Sequence, residues 1–331
     1  MSKLKNKVIF LTGGTGSFGS AFVPMTLNKL KPKKLIIYSR DESKQWDMRN
    51  LYSKNKNIEF VIGDVRDYDT LKKNMRGVDY VVHAAATKIV PTAETNPFEC
   101  VKTNINGSMN VINASLENNV KSVVALSTDK ACNPANLYGA TKLAADKLFV
   151  SANTFNSEKI TNFSIVRYGN VIGSRGSVIP FFKEKAVTGK IPITNIEMTR
   201  FIISLKECVE FVWQSFEQMI GGEIFVKKIP SINIIEIANA ITKKKNNYNV
   251  IGIRPGEKLH EQMISIEDAP FTYEFNDHFR ILPSIMNDSD YYKINKKKKV
   301  SDNFYYISNR NNKWIKSTDL RDWLKKYPNY F

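Results

Sequence analysis

Val8-Ile9-Phe10-Leu11-Thr12-Gly13-Gly14-Thr15-Gly16-Ser17-Phe18-Gly19 decides the fold. Val8 to Leu11 is a short apolar run of the kind that forms a buried parallel strand. Glycines at 13, 16 and 19 follow at once in a G-x-x-G-x-x-G spacing. Glycine lets backbone amides come close to a pyrophosphate, and a helix N-terminus beyond the loop favours its charge. The spacing alone also fits a tight strand-to-helix turn with no ligand. The strand before it and the amphipathic stretch after it favour a dinucleotide site built from Gly13, Thr15, Gly16, Ser17, Phe18 and Gly19. Pro24 falls inside the expected first helix, where proline costs about 3 kcal/mol. A kink or a late helix start is expected there.

Working outward, apolar runs recur at 34–38, 58–62, 79–83, 121–126 and 162–166, separated by helical stretches. This alternation predicts an α/β fold: a Rossmann-type doubly wound parallel sheet with ligands outside its carboxyl edge. Residues 1–170 are assigned to the dinucleotide-binding domain, whose sheet is open to later segments. Residues 171–331 are assigned mainly to a smaller substrate-binding domain and a tail. The second run ends in Ser39-Arg40-Asp41-Glu42-Ser43-Lys44. A cationic fork of Arg40 and Lys44 suits a 2′-phosphate and so NADP over NAD; the plainer reading is a solvated arginine paired with Asp41. Asp64, before Val65, is placed to meet an adenine amino group. Ala84, Ala85 and Ala86 let the chain pass close to a cofactor. His83 beside them reads as structural.

The fifth run delivers Ser127-Thr128-Asp129-Lys130, and Tyr138-Gly-Ala-Thr-Lys142 follows. Tyr-x-x-x-Lys puts a phenol and an ammonium on one helix face, one turn apart. A cation stabilises the phenolate, so Tyr138 takes a proton from a sugar hydroxyl while hydride leaves the same carbon. A plain dehydrogenase needs only that. The added Asp129–Lys130 pair suggests that a second bond is broken after the oxidation. The plainer readings are a solvated strand-end lysine and a helix-capping or salt-bridged aspartate.

These motifs make the chain resemble the extended short-chain dehydrogenase/reductases, and within them the UDP-N-acetylglucosamine 4,6-dehydratases that invert C5. The likeness runs through 12–19, 38–44, 63–67, 83–86, 97–107, 126–147, 166–182, 198–201 and 254–261. Its most specific part is Leu-Ser-Thr-Asp-Lys-Ala-Cys-Asn-Pro at 126–134. Configuration-retaining relatives carry Thr-Asp-Glu where Thr128-Asp129-Lys130 stands. Two departures appear: Thr87 and Ile89 replace the family's methionine and histidine beside Lys88, and the stretch between Phe182 and Pro192 is short.

The resemblance implies C4 oxidation by Tyr138 and Lys142, C5 deprotonation by Lys130, and water elimination helped by Asp129, with Thr128 alongside. It implies a tightly bound NADP that is recycled, touching Asn104 and Val171 as well as the residues above. For the UDP-sugar it points to Lys88, Ser127, Asn170, Val178, Thr194, Arg200, Arg254 and Glu257, with Thr199 weaker. The loop 174–177 is a further candidate for the sugar. Segment 254–260 would close over the UDP, although Arg254 also fits a surface ion pair with Glu257. Lys130 as a base must be neutral; burial, Lys142 and the nicotinamide charge are expected to lower it from about 10.4. The product would serve bacterial surface-glycan synthesis, such as pseudaminic acid, capsule or O-antigen, and the family commonly forms dimers and higher oligomers, hexamers included. Two other classes stay open: an NADP-dependent nucleotide-sugar epimerase, and a non-catalytic NADP-binding protein.

Composition fits a cytoplasmic enzyme. Cys100, Cys132 and Cys208 are few and scattered, which argues against a disulfide framework. His83, His260 and His278 lack metal-ligand spacing. No apolar run approaches the roughly 18 residues of a membrane span, and no signal peptide is read at the N-terminus. The net charge of +17 invites a nucleic-acid reading. The lysine runs at 243–245 and 296–299 lack interleaved aromatics, however, so solvated loops are preferred, with no nucleic-acid or membrane partner. Residues 285–313 are expected to form a flexible or partly extended tail.

Overall fold

The computed structural model describes residues 2–154, 160–242, 247–284 and 298–326. All six expected strands form within two residues of their anticipated ends: β1 (Val8–Thr12), β2 (Lys34–Ser39), β3 (Ile58–Ile62), β4 (Tyr80–His83), β5 (Ser122–Thr128) and β6 (Asn162–Tyr168). Between and after them run α1 (Ser17–Lys29), α2 (Glu42–Leu51), α3 (Tyr68–Asn74), α4 (Val90–Thr95), α5 (Pro97–Val101), α6 (Gly107–Glu117) and α7 (Leu137–Ser151). Helix α1 starts directly after Gly16 and runs through Pro24, so the late start does not occur. The burial of Phe22, Val23 and Thr26 around that proline holds the helix in place.

Later strands are β7 (Asn170–Val171), β8 (Ile191–Ile193), β9 (Thr199–Ile203), β10 (Ile224–Lys227), β11 (Ser231–Asn233), β12 (Tyr248–Val250), β13 (Gln262–Ile264), β14 (Thr272–Glu274), β15 (His278–Ile281), β16 (Lys298–Lys299) and β17 (Tyr306–Ile307). The main sheet has the order β16-β14-β15-β10-β6-β5-β4-β1-β2-β3. From β3 to β10 every pairing is parallel, and the last three strands join antiparallel. The central strands are apolar throughout because both faces are covered: Ile9, Phe10, Leu11, Val81, Val82, Val123 and Val124 are fully buried. Strand order reverses between β1 and β4, and a ligand cleft is expected outside such a switch point.

Helices α8 (Val178–Thr188), α9 (Leu205–Gln218), α10 (Ile234–Thr242) and α11 (Ser317–Lys326) complete the fold. Helix α9 opens with a Ser204/Glu207 capping box and packs beside α1, with Trp213 against Phe22. A second, smaller core joins Ile172, Ile179, Phe182, Ile191, Ile202, Ile232, Ile237 and Leu320. Short pairings β11-β9-β7 and β12-β8 frame it.

Of the flexible or partly extended tail expected at 285–313, residues 298–313 are in part extended and are seated on the body of the fold. Strand β16 pairs with β14, β17 pairs with β13, and Tyr306 and Ser308 are buried. Aromatic packing explains it: the Tyr306 ring lies 4.7 Å from Phe201 and 5.4 Å from Phe279. Residues 285–297 and the lysines at 243–245 lie outside the described residues. Among the described residues no helix is long and apolar enough to cross a membrane.

Candidate active site

The turn from β1 into α1 is shaped by two close approaches. Gly13 has φ +66°, and a Cβ there would fall 2.8 Å from the Ala85 backbone. A Cβ on Gly19 would fall 1.9 Å from the Gly14 carbonyl oxygen. Gly19 is therefore a packing position and does not line the cleft. The N-cap of α1 is Gly16, with no side-chain cap and no acidic residue in the first turn. Its first amides are left for an anion.

The glycine loop, the β2 tip, the chain after β4, the end of β5 and the start of α7 open into one cleft of about 710 Å³. Gly13, Thr15, Gly16, Ser17 and Phe18 form one end, with Ser39, Arg40, Asp41, Lys44, Asp64 and Val65 beside them. Ala84, Ala85, Ala86, Lys142 and Val171 line its middle. Ser127, Thr128, Asp129, Lys130, Tyr138, Lys88, Asn170 and Val178 line the rest. Asn104 is buried behind the wall, not on it. It sits in a π-helical turn, Lys102–Asn106, where its amide donates to Thr87 O and its carbonyl accepts from Thr87 N, at 3.0 and 2.8 Å. The clamp holds the Thr87 backbone whatever side chain stands there.

Some expected contacts are redistributed. Lys44, rather than Arg40, pairs with Asp41, which also caps α2 through the Lys44 amide. Arg40 lies 3.8 Å from Asp64 and its side chain is 63% exposed, reaching over the cleft. The Asp64 carboxylate is already held by Arg66 at 2.7 and 3.0 Å. Arg200 lines a small adjoining hollow with Asn170 and Val178. Thr194, Arg254 and Glu257 do not reach the cleft. Thr194 Oγ1 donates to Met198 Sδ, and Thr199 is bonded to His260 and Ser308. The Arg254 backbone amide donates to Glu257 at 3.2 Å while its guanidinium lies over the Phe181 ring. The segment turns on itself because Gly256, with φ +77°, lets it fold against Asn136.

The candidate acid–base groups sit where β5 ends. Thr128 accepts from the Lys130 amide and so starts the turn Asp129–Ala131. Asp129 is fully buried. Tyr138 is buried on the first turn of α7, with Asn136 capping that helix through the Gly139 amide. Burial pushes the Tyr138 phenol up to about 12, opposed by the Lys130 charge and the Thr128 hydroxyl. Lys142 donates to the Leu126 carbonyl at 2.8 Å. Burial lowers its ammonium pKa, resisted by Asp146 one turn on. Lys130 is thus a second cation beside the phenol, in addition to the one expected at Lys142.

A second correction concerns Lys130 itself. Its Nζ lies 3.0 Å from Asp129 Oδ1 and 3.2 Å from Glu261 Oε1. Burial works to lower its pKa, but the two carboxylates outweigh it and hold the ammonium well above the ordinary lysine range. Asp129 is raised by burial, against the pull of Lys130.

Two groups in the site were not anticipated in their present places. Glu261 comes from the chain just before β13 and closes the 254–261 stretch, where no role was assigned to it. Arg175 was read toward the sugar, but its backbone amide donates to Ser17 Oγ at 3.0 Å and its guanidinium donates to the Thr15 carbonyl. Buried Asp146 accepts from Ser127 and Arg167 at 2.7 and 3.2 Å, which ties the end of β5 to α7. His83 is buried between Thr12 and Ser108. Among the described residues no cluster of His, Cys, Asp and Glu is arranged to hold a metal.

A seven-stranded parallel array with a glycine loop after β1 and Tyr-x-x-x-Lys after β5 defines a Rossmann-type extended short-chain dehydrogenase/reductase. Within that class the chain belongs to the polysaccharide biosynthesis protein family, whose model matches residues 9–283. It is 54% identical over 325 residues to the UDP-N-acetylglucosamine 4,6-dehydratase (inverting) of Campylobacter jejuni, covering 96% of each chain. It is 42% identical over 307 residues to a UDP-glucose 4-epimerase of Rickettsia canadensis, covering 89% of each. Among solved structures, Pen from Bacillus thuringiensis superposes with a TM-score of 0.89 at 35% identity, over 98% of this chain and 99% of that one.

Proposed function

We propose that this protein is an inverting UDP-N-acetylglucosamine 4,6-dehydratase, a hydro-lyase of surface-polysaccharide synthesis. The product is UDP-2-acetamido-2,6-dideoxy-β-L-arabino-hex-4-ulose. The observation that carries the reading is the Asp129–Lys130 pair, its aspartate fully buried, in the same cleft as Tyr138. An epimerase acting at C4 alone has no use for a second acid–base pair.

The cleft fits a nicotinamide dinucleotide. The glycine-rich loop and uncapped N-terminus of α1 suit a pyrophosphate, and exposed Arg40 suits a 2′-phosphate, so NADP is the cofactor favoured. When bound, it supplies the acceptor for the C4 hydride and its return to C6. Tyr138 takes the C4 hydroxyl proton. The ketone then acidifies C5. Moving one proton from Lys130 Nζ to Asp129 Oδ1 across 3.0 Å turns the ion pair into the amine base and the carboxylic acid that elimination requires. Lys130 removes the C5 proton, and Asp129 protonates the C6 hydroxyl, which leaves as water. The pair ends as ammonium and carboxylate again. The proton taken by Tyr138 balances the one delivered to C5 on the opposite face, which inverts it. Lys88, Ser127 and Asn170 are positioned for the sugar and diphosphate.

Incubation with UDP-N-acetylglucosamine in deuterated water tests this. The expected product has lost one water, carries deuterium at C5 and has the L-arabino configuration. A product of unchanged composition, epimeric at C4, would establish the epimerase reading instead.

A further inference from the structure

Lys130 sits where the end of β5 meets the segment entering β13. Asp129 precedes it at the end of β5, and Glu261 reaches it from the segment entering β13. The Glu261 side chain is 3% exposed, and its Oε2 has no hydrogen-bond partner. Its carboxylate is aimed by the main chain: its amide donates to Ser308 Oγ at 2.9 Å, and its carbonyl accepts from the Ser308 amide at 2.8 Å. Cations surround it, with Lys258 Nζ at 3.8 Å and Arg200 Nε at 3.9 Å besides Lys130. A buried carboxylate with an unpartnered oxygen is costly to a fold. Here it is spent against the amine of the elimination pair.

We propose, resting on the dehydratase reading, that Glu261 is a positioning residue of the elimination site. It fixes Lys130 Nζ opposite Asp129 and sets how readily that amine passes its proton to Asp129. No electrons move in this step: the N–H bond of Lys130 breaks, the O–H bond of Asp129 forms, and elimination restores both. The charged and titratable groups facing Lys130 are Asp129 and Tyr138 on the β5–α7 side, Lys88 after β4, and Arg200 and Glu261 from the substrate half, with Lys258 behind Glu261. Asp129 and Glu261 both retain the Lys130 proton. Removing the Glu261 charge leaves Asp129 alone against the opposing cations.

The experiment compares wild type with Glu261→Gln and Glu261→Asp in protein carrying 13C at lysine Cε, the Lys130 resonance being assigned by its loss in Lys130→Met. In wild type that resonance should stay in its ammonium position up to about pH 10, the ordinary lysine value. In Glu261→Gln it should move within that range, and the acid limb of kcat should shift down by about one pH unit or more, a tenfold or greater gain in neutral amine at fixed pH. KM should stay within a few-fold of wild type, and Glu261→Asp, which keeps the charge, should lie nearer wild type in both readouts. If Glu261→Gln melts cooperatively and shows the wild-type resonance profile, the proposal is overturned. If the wild-type protein releases no water from UDP-N-acetylglucosamine, the dehydratase reading falls, while the Lys130 resonance still decides whether Glu261 governs that amine.

Discussion

At the scale of single residues, the proposed mechanism divides the chemistry between Tyr138 and Lys130. Tyr138→Phe removes the acceptor of the C4 hydroxyl proton, so no NADPH absorbance should appear in a single turnover. Lys130→Ala leaves Tyr138 in place. It should still bind UDP-N-acetylglucosamine and NADP and form a little NADPH, but release dehydrated sugar at least about 10²-fold more slowly. Dehydration within a few-fold of wild type would make Lys130 structural. Arg40 has no short partner, its nearest carboxylate oxygen lying 3.8 Å away. Arg40→Ala should therefore weaken NADP by about 1.5–3 kcal/mol and leave NAD nearly unchanged. Isothermal titration with the two cofactors measures the difference, and equal losses would remove Arg40 from the 2′-phosphate site.

Elements carry the next level of constraint. Strand β4 ends in His83, fully enclosed, with Nδ1 2.9 Å from Thr12 Oγ1. Burial pushes this imidazole down to about 3, with Lys142 adding to the effect. The native state therefore keeps His83 neutral while the unfolded chain protonates near pH 6.5. Between pH 6.5 and about 3 the unfolded state binds more protons, so this stabilisation is lost as pH falls. The loss should reach about 2 kcal/mol by pH 5, at 1.36 kcal/mol per unit. Denaturant melts of wild type and His83→Gln over pH 5–7 test it. The variant should have lower stability at pH 7 and a flatter slope, and parallel slopes would assign the pH dependence to other groups.

The whole molecule is closed by its C-terminal part. Tyr306 OH donates to the Ile229 carbonyl at 2.8 Å and accepts from its amide at 3.0 Å, while Asn311 also bonds that carbonyl. Tyr306→Phe keeps the ring contacts but strands the buried Ile229 amide. It should cost about 1–3 kcal/mol of unfolding free energy in a urea melt, without changing the ratio of NADP to NAD affinity. A neutral substitution would mean that the ring contacts alone seat residues 298–313.

Much of the fold was legible because its signals are local. Apolar runs alternating with helical stretches marked β1 to β6, since a strand buried on both faces needs an unbroken apolar run. Glycines 13 and 16 announced the cradle because a missing Cβ is a property of the residue. Tyr138 and Lys142 were paired by helix geometry alone. What the sequence could not carry was whatever depends on distant segments meeting. Strands β10, β15, β14 and β16 enter the main sheet by pairings that leave no local trace. Arg254 was read toward the diphosphate by resemblance, yet its guanidinium lies over the Phe181 ring. Above all, the Lys130 pKa was expected to fall on burial and nearby cations, and the pull of its neighbour Asp129 was not weighed against them. A pKa sums every group within a few ångströms. The fold holds Asp129 at 3.0 Å and brings Glu261 to 3.2 Å from that amine, and the two carboxylates together reverse the sign. The sequence by itself determined the candidate acid–base groups and the elements that present them; only the tertiary structure decided their protonation, because protonation depends on every neighbour in space and the chain order records only some of them.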